Sequence, residues 1–435
     1  MIKMTERDLN ALARENVDRV LLVLVGALMI QLGYQLWGIL PPGHWVSAVL
    51  IIYAYGTALG LFVLAVLHVD LDYYGYRIAA WCLFVVIAGT ITVLWLREGA
   101  NFGTDALLFS RYSVDLFLEG ANPFAASMGP AAETYNGSIL HVTPQVDGTA
   151  ITSLSYPAGM VLAFVPQAVT GFGDLNLGAT LLFAAILVAT LLVLESPSVL
   201  ALAPIVVMLG ARNLLWASAG GILDALWVLP LLAAMHYWHR ELWTASAVWY
   251  GLAAGTKQTV WPIAPALLIW IWHETDSLDA FRARASRTVA GWAAGFFALN
   301  LPFVLWDPVA WTTSVLTPIA SGAAMVHQGV GPTILTVTGV YALPKGYFTL
   351  LTVASGLVAL ALYWRYWERM KWAAWLLPPL ILFWYYRSLS SYFSWFLPVA
   401  YYAALCSLDL RRRRWVTSSL LPSGVWRTPE GGSDG

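Results

Sequence analysis

The sequence predicts an all-α polytopic membrane protein of about 12–14 transmembrane helices with a large first outer loop, and three observations predict it. The chain of 435 residues is 59% hydrophobic and only 11% charged, with a mean hydropathy of +0.69. Apolar runs recur along it, several of them long enough to carry a helix across the hydrocarbon core. Tryptophans flank those runs, among them Trp37, Trp45, Trp95, Trp243, Trp306 and Trp395, where amphipathic rings anchor a span at the interface.

Taken in order, residues 1–19 are a mixed-charge, helical cytoplasmic lead-in. The run 20–40 lacks a small-residue cleavage pattern and reads as a retained anchor rather than a signal peptide. Further spans fall near 46–67, 78–96, 157–171, 177–194, 199–211, 222–238, 243–256, 259–273, 288–305, 347–364, 372–386 and 391–408. Three basic clusters set the orientation: Arg282, Arg284 and Arg287; Arg365, Arg369 and Lys371; and the four arginines Arg411 to Arg414. All are expected on the cytoplasmic side of the cell membrane. The counts from the two ends agree if 199–211 is re-entrant, which backbone tolerates only under cover of protein or a water-filled cavity.

The transmembrane unit is therefore 20–410, followed by a cytoplasmic tail at 411–435. Two outer segments interrupt it, 97–156 and 306–346, the second with four prolines. The semi-apolar "PTILTVTGVYAL" of the second lies at the interface, because a full crossing would put the Arg365 cluster outside. Asn136-Gly137-Ser138 is formally a glycosylation sequon in the first.

The net charge of -1 offers no global field for nucleic acid. Cys82 and Cys406 sit in apolar runs, where a thiol acts as a small hydrophobe and suggests no metal site. No Gly-rich phosphate loop, His-Glu-x-x-His or Asp-x-Asp appears, which favours metal-independent chemistry and leaves the metal requirement open. No cofactor is called for.

The first outer loop carries "TDALLFSRYSVDLFLEGANPF", residues 104–124. Thr104 suits an N-cap, and Asp105 falls in the first turn, where a carboxylate complements the helix dipole. Arg111, Asp115 and Glu119 recur every fourth residue, while Leu108, Tyr112, Leu116 and Phe109 share another side. The pattern is that of an amphipathic helix on the outer membrane surface, stopped by Gly120 and turned by "ANPF". A solvated charge ladder is the other reading of Arg111, Asp115 and Glu119. Further on, "VDGTAIT" reads as a tight turn between short strands, and "SYP", with Tyr156, leads into the next span. Asp224, Lys257 and Gln258 then interrupt apolar sequence at outer span ends, where ionisable groups are costly and mark functional candidates, although a lysine there can also snorkel.

In this order the pieces resemble the GT-C class of polytopic glycosyltransferases, especially the polyprenol-phosphate-mannose-dependent mannosyltransferases of bacteria and archaea. The matching motifs are the loop Asp105, "GANPF", "SYP", "GGILDALW" and "GTKQ" before "WPIAPALL", over about residues 97–270. Two spans precede the usual first one, and the loop has a single Asp105 in place of the paired acidic signature of some relatives. The resemblance implies a polyprenyl- or dolichyl-phosphate-linked sugar as donor, mannose in particular, and a lipid or glycan acceptor, with membrane lipids as surroundings. For such a transfer Asp105 is the candidate base. Lys257 and Arg387 are the candidate cations for the leaving phosphate. Arg111, Tyr112, Asp115, Tyr156, Asp224, Gln258, His327 and Tyr392 are substrate-binding candidates, although for His327 an ordinary loop histidine is the favoured reading. A transporter or flippase for a lipid-linked substrate is the alternative from another class, and a ligase of whole lipid-linked glycans a nearer one. Against transport, the charges gather at outer span ends and no paired half-helices are seen.

Overall fold

The computed structural model describes residues 6–39, 45–67, 71–96, 104–135, 143–171, 185, 223–320 and 325–407. These are helical almost throughout, with two strands of two residues each. Leaving helices of five residues or fewer unnumbered, the order is α1 (Glu6–Ile39), α2 (Trp45–Val66), α3 (Leu71–Leu96), α4 (Asp105–Leu118), α5 (Val165–Thr170) and α6 (Ala225–His239). There follow α7 (Trp243–Ala254), α8 (Ile263–His273), α9 (Leu278–Trp306), α10 (Pro308–Ala320), α11 (Lys345–Arg365) and α12 (Leu377–Leu382), and a helical stretch at 397–407.

Among the described residues, four helices are long and apolar enough to cross a membrane: Val17–Trp37 within α1, α2, α9 and α11. The architecture is that of an all-α membrane protein. The expected span 78–96 lies within the unbroken α3, and the other expected spans within the described residues are shorter or broken. Residues 157–171 form a single turn at Gly159–Leu162 and then α5, which Gly171 ends in the left-handed region (φ 65°). Residues 372–386 start as a 3₁₀ turn, Lys371–Leu376, and become α-helical at Pro378 and Pro379, which occupy a first turn where no backbone donor is required. The piece 332–343 contains only the one helical turn Ile334–Val337. The expected runs at 177–194 and 199–211, the sequon and the tail lie outside the described residues, apart from Ala185.

Two apolar cores form. One runs through α1 to α3, α6 to α8 and the stretch 359–406; the other gathers α4, the loop behind it and the ends of α9, α10 and α11 around Phe303. Between α7 and α9 the backbones touch, because a Cβ on Gly295 would lie 2.1 Å from the Val248 carbonyl and one on Gly251 2.2 Å from that of Trp292. Small residues permit that approach where no hydrophobic drive from water exists. Arg284 and Asn300 sit on the same helix, about 24 Å apart at the helical rise per residue. The basic cluster and the site described next therefore occupy opposite ends of the bundle.

Candidate functional site

Helix α4 begins where its sequence places it. Thr104 is extended (φ -144°), but its hydroxyl does not cap the helix. Asp105 instead accepts a hydrogen bond from the Thr143 N–H at 2.8 Å, joining the helix start to the hairpin 38 residues later. The face α4 buries is Leu107, Leu108, Phe109, Ser110, Ser113 and Val114, whereas Tyr112 and Leu116 are only half-buried. The outer loop folds back over that face, with Ser113 Oγ donating to the Met128 sulfur at 3.5 Å. Gly120 (φ 81°) stops the helix. Asn122 Oδ1 then accepts the Phe124 N–H at 3.0 Å, and Ser314 Oγ clamps the Phe124 carbonyl at 2.9 Å.

The hairpin turns at Gly148 (φ 84°), with Asp147 accepting from the Thr149 N–H at 3.0 Å and its hydroxyl at 2.7 Å. Those two bonds hold the exposed Asp147 carboxyl below its ordinary range. One arm pairs onward, Gln145 with Met325, while β1 (Gln328–Gly329) pairs in parallel with β2 (Arg387–Ser388). Three segments far apart in sequence, 143–151, 325–329 and 387–388, are thereby knitted into one surface.

A second backbone junction joins "SYPAG" to "AAGTKQ". The Gly159 N–H donates to the Gly255 carbonyl at 3.0 Å, and a Cβ on Gly159 would be 2.5 Å from Thr256 Oγ1. Asn300, fully buried in α9, accepts the Ala158 N–H at 2.8 Å and donates to the Gly255 carbonyl at 3.1 Å. Gln258 Nε2 bonds the carbonyls of Ser155 (3.0 Å) and Val315 (2.6 Å).

Between these junctions lies a cavity of about 410 Å³. Asp105, Tyr156, Asp224, Lys257, Gln258, Arg387 and Tyr392 all line it. It also reaches Val353 of α11, a half-exposed residue of an apolar helix. Thr349, Thr352, Ile381 and Leu382 line the same side.

The charges in the cavity are of two kinds. Lys257 Nζ and Asp224 Oδ1 form a buried pair at 2.5 Å, with the Trp227 indole N–H adding a bond to the same oxygen at 2.6 Å. Lys257 further lies over the rings of Tyr156 (5.5 Å) and Tyr392 (5.6 Å). Its ammonium is thus committed within the protein. Arg387, by contrast, is held by neutral acceptors: the Met325 sulfur at 2.8 Å, Thr143 Oγ1 at 3.3 Å and Gln328 Oε1 at 3.4 Å. Its buried Nε has no hydrogen-bond partner, and among the described residues no carboxylate pairs with it. Burial, then the charge of Asp105, keeps the Tyr156 phenol well above its ordinary value of 10, so it is a neutral donor.

Four candidates lie elsewhere. Arg111 and Asp115 pair at 3.3 Å, Asp115 also accepts from the Tyr135 hydroxyl, and Tyr112 packs edge-on to Tyr135 at 6.4 Å. This group does not line the cavity. Burial and the Asp115 carboxylate raise the Tyr135 pKa. His327 packs against Phe348 and Tyr386 (ring centroids 5.4 and 6.2 Å) beside the cavity, not in its lining. Thr143 and Asn300 were not foreseen; Asn300 had a signal, a lone amide inside the apolar "FFALNLPF", whereas Thr143 had none.

No three or more His, Cys, Asp or Glu side chains among the described residues are grouped to hold a metal ion. The arrangement offers a carboxylate able to take a proton, a guanidinium able to hold an anion, and an apolar flank. No family model, curated protein or solved structure matches the chain.

Proposed function

We propose that the chain is a membrane glycosyltransferase that moves a sugar from a polyprenyl- or dolichyl-phosphate carrier to a hydroxyl of a lipid or glycan acceptor, with inversion. The observation that carries this reading is the cavity in which Asp105 and Arg387, both unpaired by opposite charge among the described residues, flank Thr143. In the transfer the acceptor O–H gives its proton to Asp105 while its oxygen bonds the anomeric carbon. The bond from that carbon to the phosphate oxygen breaks, its electron pair stays on the phosphate, and Arg387 stabilises the charge that develops there. The apolar flank at Val353 suits the carrier chain, which stays in the bilayer while its head enters the cavity. The pairing with Asp224 supports a different role for Lys257, as a fixed support of the cavity wall rather than a phosphate ligand. In this reading the chain crosses the cell membrane about 12–14 times, α4 lies along its outer surface, and the cavity faces outside. Mannose is the sugar that the sequence resemblance implies.

The test is transfer from radiolabelled polyprenyl-phosphate-mannose to endogenous acceptors in membranes carrying wild type or Asp105→Asn at equal protein level. Wild type alone should give labelled product, the variant falling at least about 10²-fold, because the amide cannot take the proton. Near-normal turnover in well-folded Asp105→Asn would sink the assignment of the base. Absence of both product and donor binding in wild type would overturn the donor class.

A further inference from the structure

Asp105 starts a helix, Arg387 lies 282 positions further on at a strand, and no direct contact joins them. Both bind one residue. The Thr143 backbone N–H donates to Asp105 Oδ2 at 2.8 Å, and the Thr143 side-chain oxygen accepts from an Arg387 terminal nitrogen at 3.3 Å. The residue is itself held on three sides, since its carbonyl accepts the Ile151 N–H at 3.0 Å, its neighbour Pro144 accepts the Val326 N–H at 3.2 Å, and Gln145 bridges to Met325. Met325 in turn touches Arg387.

We infer that Thr143 is a positioning residue that holds the base and the anion-binding cation in register, with the hairpin 143–151 as its rigid mount. The inference rests on the reading of Asp105 and Arg387 given above, but the tie itself does not need it. A hydroxyl between the two charges accepts from the guanidinium without neutralising it, so Arg387 is aimed while its charge remains for a ligand. The N–H on Asp105 leaves the second carboxylate oxygen for the acceptor proton and sets the orientation of the group. A carboxylate in place of Thr143 would bind Arg387 more strongly and cancel the charge.

Two readouts keep the tie and its consequence apart. Amide hydrogen exchange in the detergent-solubilised full chain reports on the tie without any substrate. Asp105→Ala should speed exchange of peptides covering 143–151 while leaving α9 peptides unchanged. Unaltered exchange across the hairpin would overturn the inference. The second readout is transfer kinetics with titrated donor. Thr143→Ser keeps both bonds and should stay within about twofold of wild type, whereas Thr143→Val loses only the bond to Arg387 and should raise the donor KM roughly tenfold, kcat changing less. A residue that merely stabilised the fold would lower active protein in both variants and leave KM alone, and that result would also overturn the inference. Should wild type transfer no sugar at all while exchange responds as expected, the tie stands and the function proposed above falls.

Discussion

At the end of the bundle that carries Arg284 and Arg365, Lys371 bonds Glu274 at 3.0 Å and lies 4.1 Å from the Trp367 ring, while Arg284 approaches the same carboxylate at 3.9 Å and the Trp243 ring at 4.9 Å. At the other end Arg387 has a sulfur, a hydroxyl and an amide oxygen around it and, among the described residues, no carboxylate pairing with it. Both ends place cations among aromatic rings and half-bury them. What differs is the counter-charge: one end closes its electrostatics internally, and the other leaves a guanidinium to be completed by something that enters. The comparison shows why counting charged residues near span ends cannot separate support from function. Lys257 sits in the same cavity as Arg387, yet belongs by its partner to the first kind.

The sharpest way to break that division is to treat Lys257 and Asp224 as one unit. Removing either partner alone leaves a buried charge without compensation, a loss of about 3–5 kcal/mol in typical buried pairs. Asp224→Asn and Lys257→Met should therefore each strip most of the monodisperse protein from a size-exclusion profile in detergent. The double variant should recover much of it, since no charge is then stranded. Losses that simply add would mean that the pair is not a unit and would return Lys257 to the list of ligand-binding cations.

A smaller effect separates the two ends directly. Arg387→Ala should weaken binding of the lipid-phosphate donor by roughly tenfold or more, the scale of one lost charge-assisted bond, with little change in melting temperature. Lys371→Ala should do the opposite, lowering stability by about 1 kcal/mol or less, as for other partly exposed pairs, with donor affinity unchanged. Equal donor affinities in the two variants, measured by titration of the purified proteins, would erase the contrast.

Much of this was legible in the sequence. Composition gave the membrane class, because a chain this apolar cannot expose its surface to water. The start of α4 at Asp105, its stop at Gly120 and the turn at Asp147-Gly148 were legible because each depends on a local rule. The buried face of α4 was not. Periodicity grouped Leu108 with Tyr112 and Leu116, whereas the structure buries Ser110 and Ser113 completely, because the loop behind supplies Met128 and other contacts that a helical wheel does not contain. Helices α6, α7 and α8 fall close to the expected 222–238, 243–256 and 259–273, whereas the division of 157–171 into a turn and α5 could not be read, since an apolar run does not reveal where a glycine or proline will end its helix within protein. The partner of Lys257 lies 33 residues away and that of Asp105 is a backbone amide, and neither pairing leaves a pattern in sequence.

The smallest effect concerns the field at the cavity's edge, where His327 lies close to Lys345. Burial first, and then the Lys345 charge, holds the imidazole below its ordinary value of 6.5, so the folded protein keeps it neutral where an unfolded chain would protonate it. The sign follows from proton counts. Above about pH 6.5 both states are neutral and the group contributes nothing against folding; as pH falls toward the depressed folded value, the unfolded state binds more protons and stability is lost. Melting temperatures of wild type and His327→Gln between pH 8 and pH 5 should therefore run together at the alkaline side and separate on acidification, with wild type falling faster. Adding Lys345→Gln should narrow that separation, because one of the two causes is gone. Parallel curves over the whole range would mean that this edge carries no excess positive potential, and the contrast between an internally closed end and an open cationic one would then rest on Arg387 alone.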